Sequence, residues 1–323
     1  MFSRANQKVI YGATNINLFE DICDSCTNEL RNIGFESEVY LVSGGVGVKL
    51  LKNHPSLSLI SHLPIVELSY LYKGVPELKN LEMLNLKSLR FYKSQIDSLR
   101  HFKTIKLKTL HLEQIDATDF ENLNTTELTE LSLRKSKVQS LDFLSSAPIE
   151  IIFLSQTFIN DRSLESLINK PISRIDLLKC EISKIDSICQ GKLEEVCISG
   201  TNITNIEPLS FCPLKKLEMR ATKISDLSAL SNCPLEVVHL PGSEVISIEP
   251  LRSCPVKDMN IVGLDIQDFS PLLDMPIKRL KLSIENLTKS QINILKNLDL
   301  VNIISPGDPE DQSSDQFFDK LDH

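Results

Sequence analysis

A chain of 323 residues exceeds the usual domain size of about 100–150 residues, so it forms either one elongated domain or two compact ones. Its 41% apolar and 24% charged residues mark a globular chain, and no run of about 20 apolar residues is long enough for a transmembrane span. The net charge of −8, from 35 basic and 43 acidic side chains without a long basic block, argues against nucleic acid, because phosphate binding needs clustered Lys and Arg.

The first residues, Met1 to Ile10, hold no apolar core of signal-peptide length, and a cytoplasmic protein is expected. A helix is predicted over Leu18 to Leu30. It carries Cys23 and Cys26 as a C-x-x-C, but no second pair follows at the spacing of a four-ligand zinc site. No metal and no cofactor are expected, and the eight cysteines read as reduced thiols.

Gly34 to Val42 and Ser43 to Leu51 read as two strands joined by a Gly-rich turn. This stretch of about 20 residues resembles the start of a protein-kinase small lobe. The resemblance implies Gly34 as a phosphate-loop glycine, Val39 as the loop valine and Lys49 as the nucleotide lysine. It supplies the alternative reading, a degenerate or regulatory kinase relative. Asn32 and Ser37 stand where the other loop glycines would be, and no H-R-D-x-x-x-x-N or D-F-G follows outside a repeat, so a complete kinase is excluded.

From Ile65 the chain repeats itself. The first apolar residue of each unit falls at Ile65, Leu86, Leu107, Leu128, Ile149, Ile172, Leu193, Leu214, Leu235, Val256 and Ile277. Every step is 21 residues except the 23 from Ile149 to Ile172, whose two extra residues lie around Asn160–Leu164. The clearest copy runs Leu214-Lys-Lys-Leu217-Glu-Met219-Arg-Ala-Thr222-Lys-Ile224-Ser-Asp226-Leu227-Ser-Ala-Leu230. This pattern resembles the leucine-rich repeat family, L-x-x-L-x-L-x-x-N/C-x-L, and most closely its short bacterial, internalin-like members. The resemblance implies an α/β-type solenoid. Its parallel sheet would line the concave face of a horseshoe or arc, with short 3-10 or irregular segments on the convex face.

Within a unit, the period-two step Leu217, Met219 points inward while Glu218 and Arg220 point outward. The seven or so residues of the back half are too few for a long helix. Proline after Cys212, Cys233, Cys254 and Met275 resets each turn, and the three cysteines are expected to pack as a small apolar column. The family's Asn position is mostly Ser or Thr here: Ser94, Ser136, Thr157, Thr201, Thr222 and Ser243, with Cys180 interrupting. Hydroxyls can still bond the turn backbone. Ile115, Leu264 and Glu285 cannot do so in the same way.

A helix over Thr288 to Leu298, with Thr288 as N-cap, and a last strand over Leu298 to Ile304 are predicted as a C-terminal cap. Ser305 to His323, with six acids and one lysine, reads as an acidic disordered tail. The expected division is therefore 1–64 as N-terminal cap, 65–304 as repeats with the cap beginning near 285, and 305–323 as tail.

No catalytic constellation emerges. G-x-S-x-G, H-E-x-x-H and P-loop motifs are absent, and the outward His111 and His239, six repeats apart, are expected roughly 30 Å from each other. A non-enzymatic protein that binds a protein partner through its sheet face, as a monomer and without nucleic acid or membrane, is the expectation. Aromatics beside arginines have the composition of interface hot spots. Arg90, Tyr92, His111, Glu113, Arg134, Ile151, Phe153, Asp176 and Arg220 are the candidate contact residues, with Ile151, Phe153 and Leu178 expected to cluster.

Overall fold

The computed structural model describes residues 16–76, 78–285, 287–309 and 312–321. They fall into two compact units, the first ending at Leu128 and the second beginning at Thr129.

The first unit opens with helix α1 (Ile16–Ile33), which places Cys26 and Leu30 in the core. It stops at Gly34, whose φ of +99° suits the left-handed residue that ends many helices. Gly34 N–H donates to the Arg31 carbonyl (3.1 Å) and Phe35 N–H to the Leu30 carbonyl (2.8 Å), the paired bonds of a Schellman stop. Strands β1 (Ser37–Val42) and β2 (Gly45–Leu50) follow as the expected antiparallel hairpin.

The hairpin gives the kinase-like expectation no support. Gly34 ends a helix. Val39 pairs with Val48 inside the hairpin, and Lys49 Nζ bonds Glu38 at 3.0 Å on the neighbouring strand. Two of the remaining glycines answer to packing: a Cβ at Gly47 would lie 2.3 Å from the Tyr40 ring, and one at Gly45 would lie 2.3 Å from the Pro64 carbonyl oxygen. With that space open, Tyr40 crosses Gly47 and its hydroxyl bonds Glu67 on the next strand at 3.1 Å. Burial first, then the Glu67 carboxylate, pushes the Tyr40 phenol up to about 12. Strand β2 then pairs in parallel with β3 (Ile65–Tyr70), so the hairpin and the first repeats share one sheet. Strands β4 (Ser88–Tyr92) and β5 (Thr109–Glu113) continue it in register.

The second unit holds β6 (Glu130–Ser132), β7 (Ile151–Phe153), β8 (Arg174–Asp176), β9 (Glu195–Cys197), β10 (Lys216–Glu218), β11 (Val237–His239), β12 (Asp258–Asn260), β13 (Arg279–Lys281) and β14 (Asn302–Ile304). Within this unit each strand pairs in parallel with its sequence neighbours, one strand per repeat. The backs of the repeats are 3-10 turns, such as Ser228–Leu230 and Glu249–Leu251, as their length predicts. The inward set Leu214, Leu217, Met219, Ile224, Leu227 and Leu230 is at most 1% exposed, each side chain contributing about 1.5–3 kcal/mol of burial. A lone repeat has nothing to bury these against, so the stack is the folding unit.

The turn chemistry is as regular as the core. Ser136, Thr157 and Thr201 hydroxyls each donate at 2.6 Å to the carbonyl three residues back, and Thr222 does so at 3.0 Å. Cys180 does not break this ladder, since its thiol donates to the Leu154 carbonyl of the preceding repeat at 3.0 Å. Ile115 fills the slot as a buried apolar residue. One position earlier the backbone is left-handed in repeat after repeat: Lys93, Gln114, Lys135, Gln156, Lys179, Gly200, Ala221, Gly242 and Gly263 all have φ between 50° and 75°. Each Cys-Pro centres a three-residue turn, in which Leu214, Leu235 and Val256 N–H donate at 2.8 Å to the Cys212, Cys233 and Cys254 carbonyls. Proline's fixed φ is close to what such a turn requires.

The two extra residues of the long repeat become a single helical turn, α2 (Asp161–Leu164), whose Asn160 and Ser163 cap one another. At the C-terminus, α3 (Lys289–Lys296) starts at the expected Thr288, which forms a capping box with Gln291. Buried Gln291 in turn donates to the Ile266 carbonyl at 2.9 Å. The segment expected to be a disordered tail is instead tied back. Asp308 accepts from Ser305 N–H, Ser305 Oγ and Gln312 Nε2 at 2.7–3.0 Å, and α4 (Ser314–Leu321) buries Phe317 to 1% exposure. One large aromatic outweighs the segment's acidic composition here.

Candidate functional site

The strand faces present the outward residues of each unit. In the first unit Arg90 and His111 are directly paired, as are Tyr92 and Glu113. Tyr92 is 47% exposed and Lys93 Nζ sits 4.8 Å from its ring centre. This is a solvent-facing row rather than a pocket.

In the second unit, side chains converge. A depression of about 230 Å³ is lined by Arg134, Phe153, Arg174, Asp176, Lys216 and Glu218, among others. The Arg134 guanidinium lies 4.2 Å from the Phe153 ring centre and continues to Asp176, with Nη2 at 3.0 Å and Nε at 3.3 Å from Oδ2. Arg174 stands 5.1 Å from the same ring and bonds Glu195 at 3.2 Å, and Lys216 bonds Glu218 at 2.8 Å. The guanidinium planes shield the ring, which is why Phe153 is only 8% exposed instead of forming the open aromatic expected at an outward position. Leu178 shares this depression, whereas Ile151 does not line it. Arg220 is exposed two strands further along.

Arg174, Glu195, Lys216 and Glu218 belong to the site but were not among the sequence candidates. The signal for Arg174, Glu195 and Lys216 was the outward column two residues after each first apolar position.

Further along the same face, Asp258 accepts from Arg279 Nη2 at 2.8 Å and lies 3.4 Å from His239 Nε2. His239, then the Arg279 charge, holds the Asp258 carboxyl below its ordinary range. Among the described residues His239 Nδ1 is buried without a hydrogen-bond partner. Cys197, also on this face, has its thiol pushed up by burial. A cleft of about 520 Å³ on the back of the long repeat is lined by groups that satisfy one another, with Ser166 donating to Asp142 at 2.6 Å and Ser163 to the Gln139 carbonyl at 2.7 Å. Among the described residues no three His, Cys, Asp or Glu side chains are grouped to hold a metal ion, and no helix is long and apolar enough to cross a membrane. What the strand face offers is a set of paired charges around a shielded aromatic ring.

No family model matches the sequence, and no curated protein matches it. Solved structures do. An internalin, InlF, from Listeria monocytogenes is 17% identical with a TM-score of 0.52, over 90% of this chain and 89% of that one. A leucine-rich repeat protein of Leptospira interrogans is 17% identical with a TM-score of 0.60, over 80% and 73%. The plant peptide hormone receptor RGFR1, in complex with RGF2, is 17% identical with a TM-score of 0.53, over 76% of this chain and 45% of that one. The 21-residue period, the one-strand-per-repeat parallel sheets, the 3-10 backs and these likenesses converge: the chain is a protein of the leucine-rich repeat fold.

Proposed function

We propose that this chain is a non-catalytic recognition module that binds a protein partner through the strand face of its second unit. The observation that carries the reading is the Arg134–Phe153–Arg174–Asp176 cluster. Arginine and a central aromatic are the residue types in which interface energy concentrates, and their mutual contacts hold them in place before a partner arrives. A structure of the same fold is a peptide receptor in complex with its ligand, which supports the reading by analogy of fold. The kinase-related alternative has no comparable support, because Gly34, Val39 and Lys49 are all engaged in the hairpin and its helix stop.

The test is affinity capture from a native lysate with the wild-type chain and with Phe153→Ala/Arg174→Ala, both first shown to be folded by circular dichroism. A partner captured by the wild type and lost by a factor of ten or more with the variant is expected, since a hot-spot residue contributes about 2 kcal/mol or more. Equal capture by both proteins refutes this face as the site, and capture of nothing leaves a structural spacer as the better account.

A further inference from the structure

Each unit has one terminal strand, and the two are finished differently. In the second unit β14 is covered by its own chain: Asn302 forms an antiparallel bridge with Ser313, and its Nδ2 donates to the Gln312 carbonyl at 3.0 Å. In the first unit β1 has β2 on one side and, among the described residues, no strand on the other. Leu51 N–H donates to the Glu36 carbonyl at 3.0 Å, which fixes the alternation along β1. Glu38, Tyr40 and Val42 therefore bond β2, while Ser37, Val39 and Leu41 turn their N–H and C=O groups outward. Those outward groups have no hydrogen-bond partner among the described residues. A cleft of about 380 Å³, lined by Thr27, Arg31, Gly34, Phe35, Glu36 and Ser37, separates the end of α1 from the start of the strand, so the helix does not close this edge there.

The side chains of β1 are as uneven as its backbone. Val39 and Leu41 lie opposite the fully buried Val48 and Val46, which puts them on the core side of the hairpin. They end that apolar row and are its least covered members, Val39 half-buried and Leu41 38% exposed. Glu38 and Tyr40 are on the opposite side, engaged with Lys49 and Glu67. Edge strands are commonly blunted by a proline, a bulge or a lysine, and β1 has none of the three.

We propose that a second copy of this chain docks on β1, the two strands pairing antiparallel about a two-fold axis at Val39. Ser37 then faces Leu41 of the second copy, and every outward N–H and C=O of both strands is paired. The half-covered Val39 and Leu41 side chains meet the same apolar row of the second copy, and each Glu38 faces a tyrosine. Sliding the register by two residues one way sets the two Glu38 carboxylates directly opposite each other, which is destabilising. Sliding it the other way moves Ser37 opposite the Ser43 turn and loses a pair. The self-complementary register is thus selected by charge and by backbone together. Although a monomer is expected from the sequence, this edge makes the chain a weak dimer. Pairing through one six-residue strand covers less than the roughly 1,200 Å² of a standard interface, so dissociation is expected above about 1 μM. The inference is independent of the recognition face, because no β1 residue lines the depression around Phe153.

Sedimentation velocity on the full chain, from about 1 μM to about 1 mM, should show a reversible monomer–dimer equilibrium. Val39→Pro removes the central outward N–H and spares the bonds to β2, and Leu41→Lys sets a charge in the apolar row. Each should raise the dissociation constant tenfold or more with a wild-type circular dichroism spectrum; if Val39→Pro fails to fold, Leu41→Lys decides. The register is read by cysteine cross-linking. Opposed residues of a hydrogen-bonded antiparallel pair have Cα atoms about 5.5 Å apart, within disulfide reach, so Val39→Cys oxidised with glutathione disulfide should link two chains and Leu41→Cys should not. The tryptic peptide from Asn32 to Lys49 holds no native cysteine, so a disulfide-linked pair of these peptides identifies the bond by mass spectrometry. A chain that stays monomeric throughout the range, a dimer unmoved by Leu41→Lys, or a Leu41→Cys link as efficient as the Val39→Cys one would each overturn the assignment.

Discussion

Thr201 and Ser243 occupy the same place in their repeats, yet the structure gives them opposite values. The Thr201 hydroxyl is buried and donates to the Ile198 carbonyl at 2.6 Å. Replacing Thr201 with Val keeps the shape and removes that bond. The carbonyl retains Thr201 N–H at 3.3 Å, so the loss should be that of one ordinary hydrogen bond, about 1 kcal/mol, or roughly fivefold in the folded-to-unfolded ratio. The Ser243 hydroxyl is buried with no hydrogen-bond partner, so Ser243→Ala removes a desolvated group and should leave stability unchanged or slightly higher. Urea unfolding followed by far-UV circular dichroism reads both, provided the slope is unchanged between variants. Thr201→Ser is the control, because it keeps the donor. The reasoning fails if Ser243→Ala lowers the midpoint as far as Thr201→Val, or if Thr201→Ser falls as far as the valine variant.

Four further outcomes are expected. Ala221→Gly should raise the urea midpoint, by up to about 1 kcal/mol, because Ala221 is an exposed residue at φ 50° and glycine relieves the left-handed cost of about 1–2 kcal/mol at a smaller entropic loss. Phe153→Ala should lower thermal stability only modestly, because the ring lies on the strand face under two guanidiniums; a drop of about 3–5 kcal/mol, typical of a core phenylalanine, would show it to be structural. The lowered Asp258 pKa predicts a contribution that is present above the unfolded carboxyl pKa of about 3.9 and is lost as pH falls through the folded value, so Asp258→Asn should flatten the acid limb of a stability–pH curve measured by thermal unfolding. Phe317→Ala should release α4, seen as rapid hydrogen exchange over residues 314–321 with the exchange of β10 and β11 unchanged.

Periodicity made most of the fold readable. Eleven first apolar positions located eleven strands, and the odd 23-residue step located α2, because an inward side chain must recur wherever a new strand joins the stack. The left-handed column at Lys93, Gln114, Lys135 and their successors was not read, since Lys and Gln bear no sign of the φ they adopt. Tyr40 and Gly47 face one another only once the hairpin register is known, so the packing role of that glycine was not legible in the sequence. The candidate site was half legible. Arg134, Phe153 and Asp176 stood in the outward columns, but their mutual contact depends on an arginine reaching across an intervening strand, a distance that periodicity does not encode. Phe317 was visible as an aromatic in an acidic segment, but its burial depends on Asp308 and Gln312 folding the chain back.

The long repeat shows where this architecture accepts added sequence. Although 23 residues separate Ile152 from Ile175, the two remain paired in β7 and β8, and Ser173 N–H still reaches the Glu150 carbonyl at 2.8 Å as its counterparts do elsewhere. The surplus is absorbed at the rear as a self-capped turn, and the front does not register it. An engineer could graft a foreign loop at Asn160–Leu164 and display it on one side of the molecule while the other side kept its spacing. Change at the rear is thereby decoupled from the spacing of the strands in front.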